Sequence, residues 1–183
     1  MPRAHRTFVA GGIYHVISRG NRKQPIFLSE GDHELFLELI RRVARDREWS
    51  VHSYCLMPNH YHLLLETTGA DVSAGMREIN GAYGMSFNRL HGFVGHVFQG
   101  RFKAFDVDSD GHLLHLVRYI ATNPVRARLC SSPEDWQWSS FGEILGLRRQ
   151  RGLCSDRVLG FFGTDRDRAR ETFRRFVDEG SSR

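Results

Sequence analysis

The chain has 183 residues, 40% hydrophobic and 26% charged, which suits a folded chain with a full core and argues against bulk disorder. Its 26 basic residues exceed its 21 acidic ones, and all but Lys23 and Lys103 are arginines; that excess favours a nucleic-acid partner, although a GC-rich genome enriches arginine as well. No apolar run approaches the ~20 residues that span a bilayer, Gly11, Gly12 and His15 interrupt any secretory leader over 8–17, and the scattered Cys55, Cys130 and Cys154 fit a reducing cytoplasm rather than a zinc ribbon.

After Gly11-Gly12, residues 13–17 read as a strand that ends at the Arg19-Gly20-Asn21 turn. Ser29, with Asp32 three residues on, offers a helix cap, and Leu35, Phe36, Leu39, Ile40 and Val43 place a helix over 30–47. Residues 51–56 and 60–67 form a hairpin about Met57-Pro58-Asn59, where proline lacks the ladder N–H and asparagine tolerates left-handed backbone. Val72, Met76, Ile79, Tyr83, Phe87 and Leu90 line one face of a helix over 71–90. Gly75, Gly81 and Gly84 inside it either permit close packing or approach of a ligand, or are merely tolerated. A glycine-punctuated loop over 91–103 leads to a short strand at 104–107, and a third helix over 112–123 should end or kink at Pro124.

The order β-α-β-β-α-β predicts an α+β fold: a ferredoxin-like, RRM-like antiparallel sheet with two helices on one face. The third helix is additional to that unit. Beyond it lie a tryptophan-bearing segment, 136–141, and a helix over 165–178 with Ala169, Phe173, Phe176 and Val177 on one face. Residues 126–183 therefore read as a basic helical appendage to a core spanning 8–125.

Three features carry chemistry. His60-Tyr61-His62 places two imidazoles on one face of a strand, where both can reach one metal ion; a chain with ten histidines also produces such a pair by chance. Tyr119 and Asn123, four residues apart, share a helix face. A tyrosine there can attack a phosphodiester once a metal or base activates it, and an asparagine can offer a ligand oxygen; from spacing alone, a core aromatic and a C-terminal cap take precedence. His96-Val97-Phe98-Gln99-Gly100-Arg101-Phe102-Lys103-Ala104-Phe105 interleaves basic and aromatic side chains, as a single-stranded nucleic-acid surface does, or as a strand with one core face and one solvated face does.

In order along the chain, Met57-Pro58-Asn59-His60-Tyr61-His62, Gly95-His96-Val97-Phe98-Gln99-Gly100-Arg101-Phe102-Lys103, and Tyr119-Ile120 followed by Asn123-Pro124-Val125-Arg126 resemble the single-tyrosine HUH transposases. These are IS200-like proteins, and the likeness is greatest to their REP-associated branch. Tyr14-His15-Val16, Ser18-Arg19-Gly20-Asn21 and Trp138-Ser139-Ser140 agree as well. The resemblance implies that His60 and His62 hold a divalent metal, Mg²⁺ or Mn²⁺, with Asn123 as third ligand where many members have glutamine. It implies that Tyr119 attacks single-stranded DNA beside a hairpin, leaving a 5′-phosphotyrosine and a 3′-OH. Arg19, Asn21, Arg22, Arg101, Lys103, Arg118, Arg126 and Arg128 are the expected DNA contacts, in a cytoplasmic, nucleoid-associated protein. The length after Asn123 favours a monomer over the dimers in which some relatives complete each other's sites. Two other readings stay open: a non-catalytic nucleic-acid-binding module on the same fold, and a metal phosphodiesterase that uses water. His112 and His115, near the face of Tyr119, and Glu66, on the face of His60 and His62, are expected to be structural or solvated.

Overall fold

The computed structural model describes residues 8–151 and 155–181, so Cys154 lies outside the described residues. Four strands, β1 (Ile13–Arg19), β2 (Ser50–Met57), β3 (His60–Glu66) and β4 (Lys103–Asp106), form one antiparallel sheet in the order β2-β3-β1-β4. Interleaved with them are α1 (Glu30–Asp46), α2 (Val72–His91) and α3 (Asp110–Arg126); α4 (Phe141–Ile144), α5 (Asp156–Gly160) and α6 (Arg166–Ser181) follow. The β-α-β-β-α-β order and the split arrangement of strands are those expected.

Alternation along the strands divides the sheet into two faces. Tyr14 and Val16 of β1 and Tyr61, Leu63 and Leu65 of β3 are buried on one face. There Phe36 of α1 and Tyr83 of α2 close over them, with Phe36 and Tyr61 ring centroids 4.7 Å apart and Phe36 and Tyr83 5.0 Å apart. Asp32 ties the two helices together. It completes a capping box with Ser29 at the start of α1 and also accepts from His91 at the end of α2. The opposite face carries His15, Ile17, His60, His62 and Leu64, and α3 lies across its β2–β3 half.

Three local expectations change. The helix does not stop before proline: α3 runs through Pro124 to Arg126 and is capped by Ala127. Losing one N–H near a helix end costs a single bond, and Ala127 N–H still reaches the Asn123 carbonyl at 3.0 Å. Asn123 is thus a helical residue rather than a cap. Leu90 is exposed although it shares the apolar period of α2; in the same last turn it is His91 that faces inward, to Asp32 of α1. Asn59 is not in left-handed backbone; among the described residues, the non-glycine residues that are so are Arg22, Lys23, Glu48 and Arg128.

Among the described residues, those after 126 share the core of the rest of the chain. Ser139 bridges to Cys55, the Trp138 carbonyl accepts from Leu56 N–H at 2.8 Å, and the Tyr54 carbonyl accepts from Ser140 N–H at 2.9 Å, so this segment covers the β2 edge. Phe141, Val158, Phe173 and Val177 belong to the same buried cluster as Val117 and Ile120 of α3. Residues after 126 thus pack onto the same core as α3.

Candidate active site

The pleat of β3 turns His60 and His62 to the face that α3 covers. Their rings are 5.0 Å apart and nearly perpendicular. His62 is buried at 2% exposure and His60 is half-buried. From α3, the half-buried Tyr119 ring meets His62 edge-on with centroids 5.4 Å apart, and Asn123, one turn later, sets its amide nitrogen 3.3 Å from His62 Nε2. Residues 60, 62, 119 and 123 thus converge within one chain, and Tyr119 is neither a closed core aromatic nor free on the surface.

A fifth side chain joins them. His15 of β1 is 5% exposed, its Nε2 lies 3.0 Å from His62 Nδ1, and its ring is 6.2 Å from that of Tyr119. In the sequence it belongs to a β-rich run and to the Tyr14-His15-Val16 segment that agrees with the family, with no role attached. The signal that finds it is topological: once β1 pairs with β3, residue 15 falls diagonally beside residue 62. Phe105, opposite His15 on β4, stands 51% exposed beside the group.

Burial governs the charge of these imidazoles. It lowers His15 to about 4, helped by the nearby His112, and lowers His60 to about 4, helped by the Arg19 charge. His62 is pushed down further, by burial first and then by its neighbours His15, His60 and Arg19. All are neutral at neutral pH, the form in which an imidazole offers a lone pair to a metal. Among the described residues no three His, Cys, Asp or Glu side chains cluster to hold a metal. The donor set here is two imidazoles and the Asn123 amide, and it leaves positions for substrate oxygens. His60 Nδ1 is also held by Asn59 Oδ1 at 2.7 Å, as the second nitrogen of a ligating histidine usually is. These residues fit a divalent cation.

The remaining sequence candidates scatter. Arg19 pairs with His60 across β1–β3, and Lys103 faces Ile17 on the same side of the sheet. The Arg126 guanidinium is 5.6 Å from the Tyr119 ring. Asn21 and Arg101 line a cleft of about 710 Å³ between α2 and the 95–102 segment. Arg22 and Arg128 are exposed. Arg118 turns away, its guanidinium stacked 3.7 Å from the centre of Phe176 on α6. His112 binds Asp108, His115 is exposed, and Glu66 binds His52 and Arg157.

The family described as Transposase IS200 like matches residues 8–123. This chain belongs to that transposase family. It is 25% identical over 144 residues to a protein named REP-associated tyrosine transposase from Escherichia coli (strain K12), covering 77% of this chain and 83% of that protein. A solved structure of a REP-associated tyrosine transposase bound to a REP hairpin superposes with a TM-score of 0.67 at 24% identity, covering 80% of this chain and 86% of that one. A tRNA(His) guanylyltransferase from Saccharomyces cerevisiae shares the fold at 8% identity and a TM-score of 0.50, covering 93% of this chain and 80% of that chain. The IS200-like match spans every element that builds the site, from β1 to Asn123 on α3.

Proposed function

We propose that this transposase cleaves and rejoins single-stranded DNA beside a hairpin, with Tyr119 as the nucleophile. The observation that carries the reading is the seating of Tyr119 and Asn123, on one helix face, against His62 of the same chain, whose ring in turn meets that of His60. In the forward step the Tyr119 hydroxyl oxygen attacks the scissile phosphorus. A bond from phosphorus to the phenol oxygen forms, the bond to the 3′ oxygen breaks, and the phenol proton goes to solvent while the departing oxygen gains one as a 3′-OH. The 5′ phosphate stays on Tyr119, so the bond energy is kept and a second 3′-OH can reverse the step without ATP. His60, His62 and Asn123 would hold a divalent cation, which when bound would supply polarisation of the scissile phosphate and charge stabilisation at the leaving oxygen. Imidazole ligands make Mn²⁺ a better match than Mg²⁺.

The β4 edge of the site face, where Lys103 and Phe105 are exposed, offers the DNA strand a path. Phe105 offers a ring for a base, and Arg19, Lys103 and Arg126 offer charge to phosphates. The names of the relatives support a hairpin-forming substrate. A site complete in one chain supports a monomer, and action on DNA supports a place at the nucleoid. Among the described residues no helix is long and apolar enough to cross a membrane. The test is a labelled single-stranded hairpin oligonucleotide incubated with Mn²⁺ or Mg²⁺. Wild type should give an SDS-resistant adduct, which Tyr119→Phe and His60→Ala reduce to background. Undiminished cleavage by Tyr119→Phe removes Tyr119 from the mechanism and favours attack by water.

A further inference from the structure

A ligating histidine must present an unprotonated nitrogen, and a neutral imidazole carries its proton on one nitrogen or the other. Something in the protein has to decide which. For His60 the surroundings leave little choice. The Asn59 amide nitrogen donates to the Lys23 carbonyl at 3.0 Å, and a carbonyl can only accept, so the amide cannot turn over. Its oxygen therefore faces His60 Nδ1, at 2.7 Å. That oxygen also only accepts, so Nδ1 carries the proton and Nε2 is left with its lone pair. The Lys23 carbonyl is aimed by a short turn in which Arg22 and Lys23 both take left-handed backbone, at φ 53° and 62°.

For His62 the same logic runs through two neighbours. The Asn123 amide nitrogen sits 3.3 Å from Nε2 and can only donate, so in the metal-free protein Nε2 accepts, a place the cation takes when the Asn123 amide turns its oxygen inward; Nδ1 then bears the proton and donates to His15 Nε2 at 3.0 Å. His15 is on a neighbouring strand and nearly sealed from water, which keeps solvent from substituting for it.

We propose that Asn59 and His15 are positioning residues that hold the Nδ1 protons of His60 and His62, so that both rings present an unprotonated Nε2 to a divalent cation. The proposal rests on the reading of His60 and His62 as metal-holding residues. Neither Asn59 nor His15 touches the cation; each acts through the ring beside it, as outer partners of metal sites do.

The first readout needs no metal and no activity. In metal-free wild-type protein with ¹⁵N-labelled histidine, long-range ¹H–¹⁵N spectra at neutral pH should show His60 and His62 as Nδ1–H tautomers. Either ring found as the Nε2–H tautomer overturns the assignment for that residue. The second readout is Mn²⁺ affinity by calorimetry. Asn59→Leu and His15→Leu should each weaken binding about 10–100-fold. His15→Gln, whose side-chain oxygen can accept the same proton, should stay close to wild type. A loss of less than tenfold in both leucine variants, with His60→Ala having lost binding, overturns the proposal and leaves the metal site standing. Retention of binding by His60→Ala would instead overturn the metal site itself. Should His15→Leu fail to fold, the wild-type tautomers decide.

Discussion

His15, His60 and His62 are residues whose chemistry is set by where they sit rather than by what they are. Burial holds His15 and His60 near 4 and His62 lower, against a usual value near 6.5. The unfolded chain takes up protons on these rings below about 6.5, while the folded chain resists until about 4. The unfolded state therefore binds more protons in that window, and stability falls as pH falls through it. The depressed carboxylates, Asp32, Asp71 and Asp108, exert their effect from the usual carboxylate range downward, so the window belongs to the histidines, among them His33, which burial also lowers. The melting temperature of metal-stripped protein, followed by circular dichroism, should decline steadily between pH 6.5 and 4. A flat or rising profile would contradict the burial argument. The sequence pattern made His60 and His62 legible as a pair. It did not reveal Asn59, because a turn asparagine already has an adequate backbone explanation.

Among the elements, α2 separates two meanings of glycine that its sequence leaves mixed. A Cβ at Gly75 would come within 2.2 Å of the Trp49 ring, so that glycine lets α2 close onto the tryptophan, while a Cβ at Gly81 meets nothing within 4 Å. Gly75→Ala should destabilise by about 1–3 kcal/mol through overpacking, whereas Gly81→Ala should gain up to about 1 kcal/mol of helix propensity. Urea denaturation of both variants reads the contrast; equal effects would mean that Trp49 moves aside. The helix itself was legible from Val72, Met76, Ile79, Tyr83 and Phe87, all buried, because a one-face apolar period is a local property. The contact with Trp49 was not, because Trp49 precedes β2 and meets α2 only in the fold. In the same way α3 was legible up to Asn123, but its passage through Pro124 depended on where the lost hydrogen bond fell.

The whole molecule decides how the site is assembled. Tyr119 and His62 meet within one chain, and the segment after 126 packs both on the α1 side of the sheet and on α3. Tyr54 donates to the fully buried Glu143, which also binds Arg151, and Arg151 reaches Glu34 on α1 at 3.0 Å. On the other side α6 buries Phe173 and Val177, with Arg118 of α3 lying over Phe176. This region therefore supports the tyrosine helix, and Arg118 serves that packing. A site complete in each chain predicts that mixing Tyr119→Phe with His60→Ala protein forms no more covalent adduct than either alone. Recovery of adduct on the His60→Ala chain would show that two chains share a site.

Local order was determined by the sequence alone: apolar periods of strand and helix, the Ser29–Asp32 cap, the β-α-β-β-α-β succession and the His60, His62, Tyr119 and Asn123 motifs. These depend on neighbours within a turn or a strand, and residue spacing records them. Tertiary structure decided what those motifs face. Antiparallel pairing brings His15 to His62 across 47 positions, and α3 brings Asn123 to His62 across 61. The packing of α6 sets Phe176 under Arg118, a residue that the sequence motifs place among the expected DNA contacts. Such contacts arise from strand register and from which helix covers which face, and the energies that set them are summed over the whole core rather than carried by any one segment.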